Sequence, residues 1–151
     1  MKNIKDIRIG IIGTEFRENI TIALEKHCIA ELRKSGLAEA QIKMMRVPGA
    51  LEIPLIAKKM AKQGKYDAII VFGAIVKGKT YHFEQVANEC VRGCMQVAYD
   101  FEIPVIFEVL SVYDIKDAID RAQGTKDNRG VEGALTALSM IRANTRITTV
   151  V

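Results

Sequence analysis

The sequence is poor in the residues that mark extracellular and metal-binding proteins. It contains no tryptophan, only two histidines and only three cysteines, which are Cys28, Cys90 and Cys94. An odd number of cysteines at these spacings fits no secreted disulfide framework, so we expect free thiols. Cys90 and Cys94 would share one helix face, but no nearby histidine or third cysteine completes a zinc site. We therefore predict no metal, and we interpret the cysteines as small buried side chains.

Long apolar runs are also missing. No window approaches the roughly 20 apolar residues of a membrane span, and the charged N-terminus lacks the apolar stretch of a signal peptide. We therefore expect a cytoplasmic protein with no membrane partner. The length of 151 residues, of which 49% are hydrophobic, suits one domain that occupies residues 1–151.

Positive charge is in modest excess. The net charge of +4 would suit either an anionic ligand or nucleic acid. However, Lys58, Lys59, Lys62 and Lys65 recur at helical spacing beside apolar residues, which is typical of the solvated side of an amphipathic helix. No recognised nucleic-acid motif occurs, so we predict small-molecule ligands and no nucleic-acid partner.

Short apolar runs alternate with helical patterns along the chain. The predicted strands are residues 7–13, 42–47, 68–72 and 105–110, and the predicted helices are residues 19–35, 52–63, 83–101, 115–121 and 131–142. This alternation predicts an α/β fold, a single-domain three-layer α/β/α sandwich with a four-stranded parallel, flavodoxin-like sheet. Ligands bind beyond the carboxyl ends of such strands, so the loops after Gly13, Val47, Phe72 and Leu110 are the candidate site.

Residues 73–80, GAIVKGKT, fit the pattern of a phosphate-binding P-loop. Two features weaken an NTPase interpretation: residues 74–76 look like continued strand, and no other strand ends in an acidic residue that would steady magnesium. The segment still suits an anion, because Lys77 and Lys79 bring charge, Gly78 permits close backbone approach and Thr80 offers a hydroxyl. An ordinary loop rich in glycine and lysine explains these residues equally well.

Four segments in order resemble the lumazine synthase family (6,7-dimethyl-8-ribityllumazine synthase, the riboflavin synthase beta-chain family). They are residues 47–54 (VPGALEIP), 73–84 (GAIVKGKTYHFE), 103–107 (IPVIF) and 117–130 (DAIDRAQGTKDNRG). The resemblance implies condensation of 5-amino-6-(D-ribitylamino)uracil with 3,4-dihydroxy-2-butanone 4-phosphate, which gives 6,7-dimethyl-8-ribityllumazine, phosphate and water. It implies no cofactor. Alternatives are an archaeal-type riboflavin synthase, and a shell-forming or flavin-binding relative with weak or no catalysis.

The resemblance also implies roles for individual residues. His82 would carry the proton transfers, since imidazole titrates near neutral pH, although a surface or helix-capping histidine is the simpler alternative. Phe16 would stack on the uracil ring, unless it packs in the core. Glu52 would accept hydrogen bonds from ribityl hydroxyls, or merely favour a helix N-terminus. The other implied contacts to the ribitylaminouracil are Ala50, Leu51, Ala74, Ile75, Val76 and Phe107.

The phosphate of the second substrate would be held by basic residues. Arg121 matches the family's phosphate-binding arginine, although a cation in the last turn of a helix needs no ligand. The other implied phosphate contacts are Lys77, Gly78, Lys79, Thr80 and Arg129. Phe107 would close the site of a neighbouring subunit, unless it is simply buried in the core.

Some positions depart from the family. Leu51 stands where an aromatic residue is common in the family. Lys77 replaces the usual arginine and Arg129 replaces a lysine, and these two side chains differ in geometry. Glu108 stands where glycine is expected, and Tyr113 where a small polar residue is expected. These departures bear on substrate fit more than on reaction class.

The resemblance implies a homo-oligomer with active sites between subunits. The expected unit is a pentamer, and larger assemblies up to an icosahedral shell of twelve pentamers occur in the family. Riboflavin synthase is a further possible partner.

Overall fold

A four-stranded parallel sheet forms the centre of the structure. The computed structural model describes residues 2–149. The strands are β1 (Ile9–Thr14), β2 (Ile42–Val47), β3 (Ala68–Val76) and β4 (Val105–Val112). Their order across the sheet is β2-β1-β3-β4, and every neighbouring pair is parallel. β3 is therefore internal, and β4 lies at an edge.

Helices cover both faces of this sheet. They are α1 (Glu18–Lys34), α2 (Ile53–Lys62), α3 (His82–Phe101), α4 (Ile115–Gln123) and α5 (Arg129–Thr149). α1, α4 and α5 pack on one face, and α2 and α3 pack on the other. The result is a flavodoxin-like three-layer sandwich, which confirms the predicted fold class. No helix within residues 2–149 has the length and apolar character needed to cross a membrane.

The strand sequences explain why both faces are covered. Along β3, Ile70 and Phe72 enter the core beneath α1 and α5, whereas Ile69 and Val71 enter the core beneath α2 and α3. Successive side chains of a strand point to opposite faces, so a continuous apolar run needs a layer on each side. All four side chains are fully buried. Cys28, Cys90 and Cys94 are buried free thiols in the same two cores.

The predicted end of the third strand was wrong. The prediction stopped at Phe72, but β3 continues to Val76 because residues 73–76 pair with residues 109–112 of β4. Their backbone groups therefore take part in the sheet instead of curling around a phosphate, as an NTPase loop requires. The strand structure removes the basis for the P-loop interpretation.

Other predicted boundaries need smaller corrections. β2 matches its prediction, whereas β1 lies one to two residues later than residues 7–13. β4 runs two residues beyond Leu110 because its ladder with β3 does. α5 begins two residues before Val131, since the Asn128 side chain accepts hydrogen bonds from the amides of Gly130 (3.0 Å) and Val131 (3.1 Å). An asparagine at that position is a standard start signal for a helix.

An ion pair with a buried carboxylate joins α1 to the carboxyl end of the sheet. The Arg46 guanidinium donates to both oxygens of Glu25, at 2.6 and 2.8 Å. Burial raises the pKa of Glu25, and Arg46 opposes that shift. Gly13 leaves room for the pair, because a Cβ at that residue would lie 1.8 Å from a Glu25 oxygen and 2.7 Å from Arg46 Nη1. The pair therefore depends on a glycine in the neighbouring strand.

Close packing of α5 on α1 gives a test of the fold. A Cβ at Gly130 would lie 2.3 Å from the Leu24 carbonyl oxygen and 3.0 Å from His27 Cβ. We expect Gly130→Ala to lower the free energy of unfolding by about 1–3 kcal/mol, because a helix backbone cannot yield locally. Urea denaturation would measure the change. Gly78→Ala is the matched control, since no atom of residues 2–149 outside 77–79 lies within 4 Å of its added Cβ. Equal stability of the two variants would contradict this account.

Candidate active site

A cavity of about 500 Å³ opens at the carboxyl ends of β1, β2 and β3. We call it the first cavity, and its volume lies in the usual range for small-molecule sites. It brings together ten of the predicted site residues, which are Phe16, Ala50, Leu51, Glu52, Ala74, Ile75, Val76, Gly78, Thr80 and His82. Three separate segments of the chain therefore converge as the loop positions predicted.

The first segment places an aromatic ring at the cavity wall. The loop after β1 is tied to the loop after β2 by two backbone hydrogen bonds, from the amide of Glu15 to the Val47 carbonyl (2.8 Å) and from the amide of Phe16 to the Pro48 carbonyl (3.0 Å). The Thr14 hydroxyl also donates to the Phe16 carbonyl at 3.1 Å. The ring of Phe16 is 65% exposed, so it is available to a ligand and does not form part of the core.

Arg17 lines the same cavity and was missed in the sequence analysis. Its guanidinium lies over the Phe16 ring, with Cζ 5.1 Å from the ring centroid. Its Nε is buried and has no hydrogen-bond partner among the residues that the structure describes. Its backbone is left-handed, with φ 56°, a conformation that costs a non-glycine residue energy and that tends to occur at functional sites. A charged residue directly after Phe16, in a loop already identified as a candidate, was the available signal.

The second segment supplies a carboxylate. After β2 the chain forms a short 3-10 helix, Ala50–Glu52, which leads directly into α2. Glu52 is exposed at the cavity, and a Cβ on Gly49 would approach its Oε2 to 3.2 Å. Leu51 is 47% exposed and forms part of the wall. The apolar wall and the acceptor group therefore lie side by side.

The third segment supplies an imidazole and a hydroxyl. His82 is the first residue of α3 and is exposed, and Thr80 lies two residues before it. The two lysines of this loop lie elsewhere. Lys77 donates to Glu84, lowers the pKa of that carboxyl, and lies 5.2 Å from the centroid of the Phe83 ring. Neither Lys77 nor Lys79 lines the first cavity.

A second cavity, of about 440 Å³, follows the unpaired edge of β4. Residues 107–113 line it along one side, and Asp117, Arg121 and Arg129 complete it. The predicted residues Phe107, Arg121 and Arg129 therefore lie here and not in the first cavity. Arg121 Nη1 donates to the Asp117 carbonyl at 2.9 Å and lies 3.6 Å from the Asp117 carboxylate.

Arg129 is held by two carboxylates. Its Nε donates to Glu108 at 2.9 Å, and its Nη1 donates to Glu132 at 2.6 Å. Glu108 is only 4% exposed. Burial raises the pKa of Glu108, Arg129 opposes the shift, and Glu132 adds to it. The atypical glutamate and the atypical arginine of the sequence are thus direct partners.

The two cavities are neighbours at one end of the sheet. Phe83 lines the first, Tyr113 lines the second, and their ring centroids are 6.2 Å apart. The first offers an aromatic ring, a carboxylate, an imidazole and the guanidinium of Arg17, whereas the second offers two guanidinium groups beside two carboxylates. Within residues 2–149, no cluster of three or more His, Cys, Asp and Glu side chains is arranged to hold a metal ion.

Comparison with known families agrees with this arrangement. A family model described as 6,7-dimethyl-8-ribityllumazine synthase matches residues 6–145. The match includes every segment that lines the two cavities. With 140 of 151 residues matched, the chain belongs to the 6,7-dimethyl-8-ribityllumazine synthase family.

Proposed function

We propose that this chain is a transferase that condenses 5-amino-6-(D-ribitylamino)uracil with 3,4-dihydroxy-2-butanone 4-phosphate to form 6,7-dimethyl-8-ribityllumazine. Membership of the family supports a role in riboflavin biosynthesis. The observation that carries the finer proposal is the first cavity, where an exposed aromatic ring, a carboxylate and an imidazole converge from three segments. These groups match what a flat polyhydroxylated amine and its proton transfers need.

The ribitylaminouracil occupies the first cavity in this proposal. Its ring stacks on Phe16, since a flat heterocycle and an exposed phenyl ring share apolar area. Its ribityl hydroxyls donate to Glu52, where a charged acceptor strengthens the hydrogen bonds. Residues 74–76, at the end of β3, form the wall beside the ring.

His82 moves the protons of the reaction. The amine attacks the ketone carbon and an imine forms with loss of water. Phosphate then leaves by elimination, and ring closure releases a second water. Each step transfers a proton near the reacting atoms, and His82 lies at the N-terminus of α3, on the cavity wall. Holding both reactants together supplies much of the acceleration.

In this proposal Arg121 and Arg129 of one subunit bind the phosphate end of the second substrate. Gly78 and Thr80, which line the first cavity of the neighbouring subunit, complete the phosphate site. Within one chain, Arg121 lies in the second cavity, on the unpaired edge of β4. Such an edge in a folded protein is normally covered. We therefore propose a homo-oligomer, a pentamer or larger, in which the second cavity of one subunit, including Phe107, completes the first cavity of its neighbour.

Removing His82 tests its role. We expect His82→Ala to lower kcat by about 10- to 100-fold without abolishing activity, because positioning of the reactants persists. The assay follows lumazine absorbance after mixing the two substrates without metal or nucleotide. His27→Ala is the control, since His27 is the other histidine and is exposed on α1. A His82→Ala rate equal to that of the control would remove His82 from the mechanism.

Mixed oligomers test whether sites are shared between subunits. Arg121→Ala and His82→Ala each damage a different cavity, so co-assembled subunits should regain activity at sites that combine the two intact halves. Random mixing in equal amounts restores about one quarter of the sites in a closed ring. Activity of co-expressed, co-purified oligomers is measured against each variant alone. No recovery would mean that one chain supplies the whole site.

Two substitutions at Arg17 separate ligand binding from stability. Both Arg17→Ala and Arg17→Gly remove the guanidinium, and we expect each to raise KM for the diamine by about 3- to 10-fold through loss of a stacked donor. Only glycine relieves the left-handed backbone, so Arg17→Gly should melt about 2–4 °C above Arg17→Ala. Thermal denaturation and steady-state kinetics measure the two effects. An unchanged KM in both variants would place Arg17 outside the site.

A further inference from the structure

Two carboxylates from different elements meet at one guanidinium beside the second cavity. Glu108 comes from β4 and contacts Arg129 through Nε (2.9 Å) and Nη2 (3.4 Å). Glu132 comes from the next turn of α5 and contacts Nη1 at 2.6 Å. Three of the five N–H groups of Arg129 are therefore occupied, and one hydrogen on each terminal nitrogen is left for a ligand.

The position of Glu108 is fixed by packing. The side chain is 4% exposed, and Gly133 on α5 makes space for it, since a Cβ there would lie 3.1 Å from Glu108 Cγ. A carboxylate in this position cannot swing away into water. Because water and salt screen such a buried group weakly, its field acts on Arg129 more strongly than that of a surface carboxylate.

The charges around the second cavity do not favour an anion. Arg121 and Arg129 are positive, whereas Glu108, Asp117 and Glu132 are negative. Four of these residues line the cavity, and the fifth, Glu132, contacts Arg129. The formal sum is two minus three, or −1. Arg121 keeps more of its attraction for an anion, because its carboxylate partner is 3.6 Å away and both groups are about half exposed.

We propose that Glu108, supported by Glu132, limits the affinity of the second cavity for phosphate groups by offsetting the charge of Arg129. This inference rests on the proposed function, in which that cavity receives the phosphate. Arg121 then supplies most of the binding, and Arg129 contributes hydrogen bonds with little net charge. Inorganic phosphate is a product of the same reaction, so a weaker hold lets it leave more readily.

The test measures binding of inorganic phosphate to the intact protein by titration calorimetry, without turnover. Glu108→Gln keeps the shape and the acceptor oxygen but removes the charge, and we expect phosphate to bind about 3- to 10-fold more tightly. Glu132→Gln should shift affinity in the same direction. Glu89→Gln is the matched control, since it removes one negative charge from an exposed Glu–Arg pair with Arg92 on α3, and it should leave affinity unchanged.

The direction of the change decides the matter. A glutamate with only a structural role would weaken phosphate binding when replaced, so equal or weaker binding by Glu108→Gln overturns the proposal. If Glu108→Gln fails to fold, Glu132→Gln decides by the same criterion, because the Glu132 side chain is 43% exposed and we expect the protein to tolerate its replacement. A parent that binds phosphate and responds as expected, but forms no lumazine, would support this inference while refuting the proposed reaction.

Discussion

The parallel ladder between β3 and β4 determines where the two cavities lie. It continues four residues beyond Phe72, from the pair Gly73 and Val109 to the pair Val76 and Val112. The loops that follow the two strands therefore start at the same level of the sheet. Because β3 is internal and β4 is an edge strand, the first of these loops faces β1 and β2, and the second faces outward. One ladder thus separates the first cavity from the second.

Much of the fold followed from periodicity alone. The strand–helix alternation predicted the parallel sheet, and the rule that ligands bind at carboxyl ends located the first cavity, including Phe16, Glu52 and His82. The end of β3 was not predicted, because Gly73 resembles a loop residue and only the partner strand shows that it is paired. Contacts such as Glu108 with Arg129, 21 residues apart, depend on how α5 packs against β4, which no local pattern encodes.

Buried carboxylates accompany both cavities. Glu25 with Arg46 lies next to the end of β1, where Arg46 also contacts the Thr14 carbonyl, and Glu108 with Arg129 lines the second cavity. Each carboxylate occupies space that a glycine in an adjacent element leaves free, Gly13 in one case and Gly133 in the other. Desolvation of each carboxylate is costly, and the guanidinium partner offsets that cost. Glu25 and Glu108 are thus fixed both by packing and by their arginine partners.

The contact between Gly13 and the Glu25–Arg46 pair restricts how this sequence can drift. A side chain at position 13 would overlap the carboxylate at 1.8 Å, and removing Arg46 alone would leave the charge of Glu25 buried without its partner. The three positions are consequently epistatic. A side chain at position 13 fits only where Glu25 has moved or has been replaced, so the cost of a substitution at any one of these positions depends on the residues at the other two.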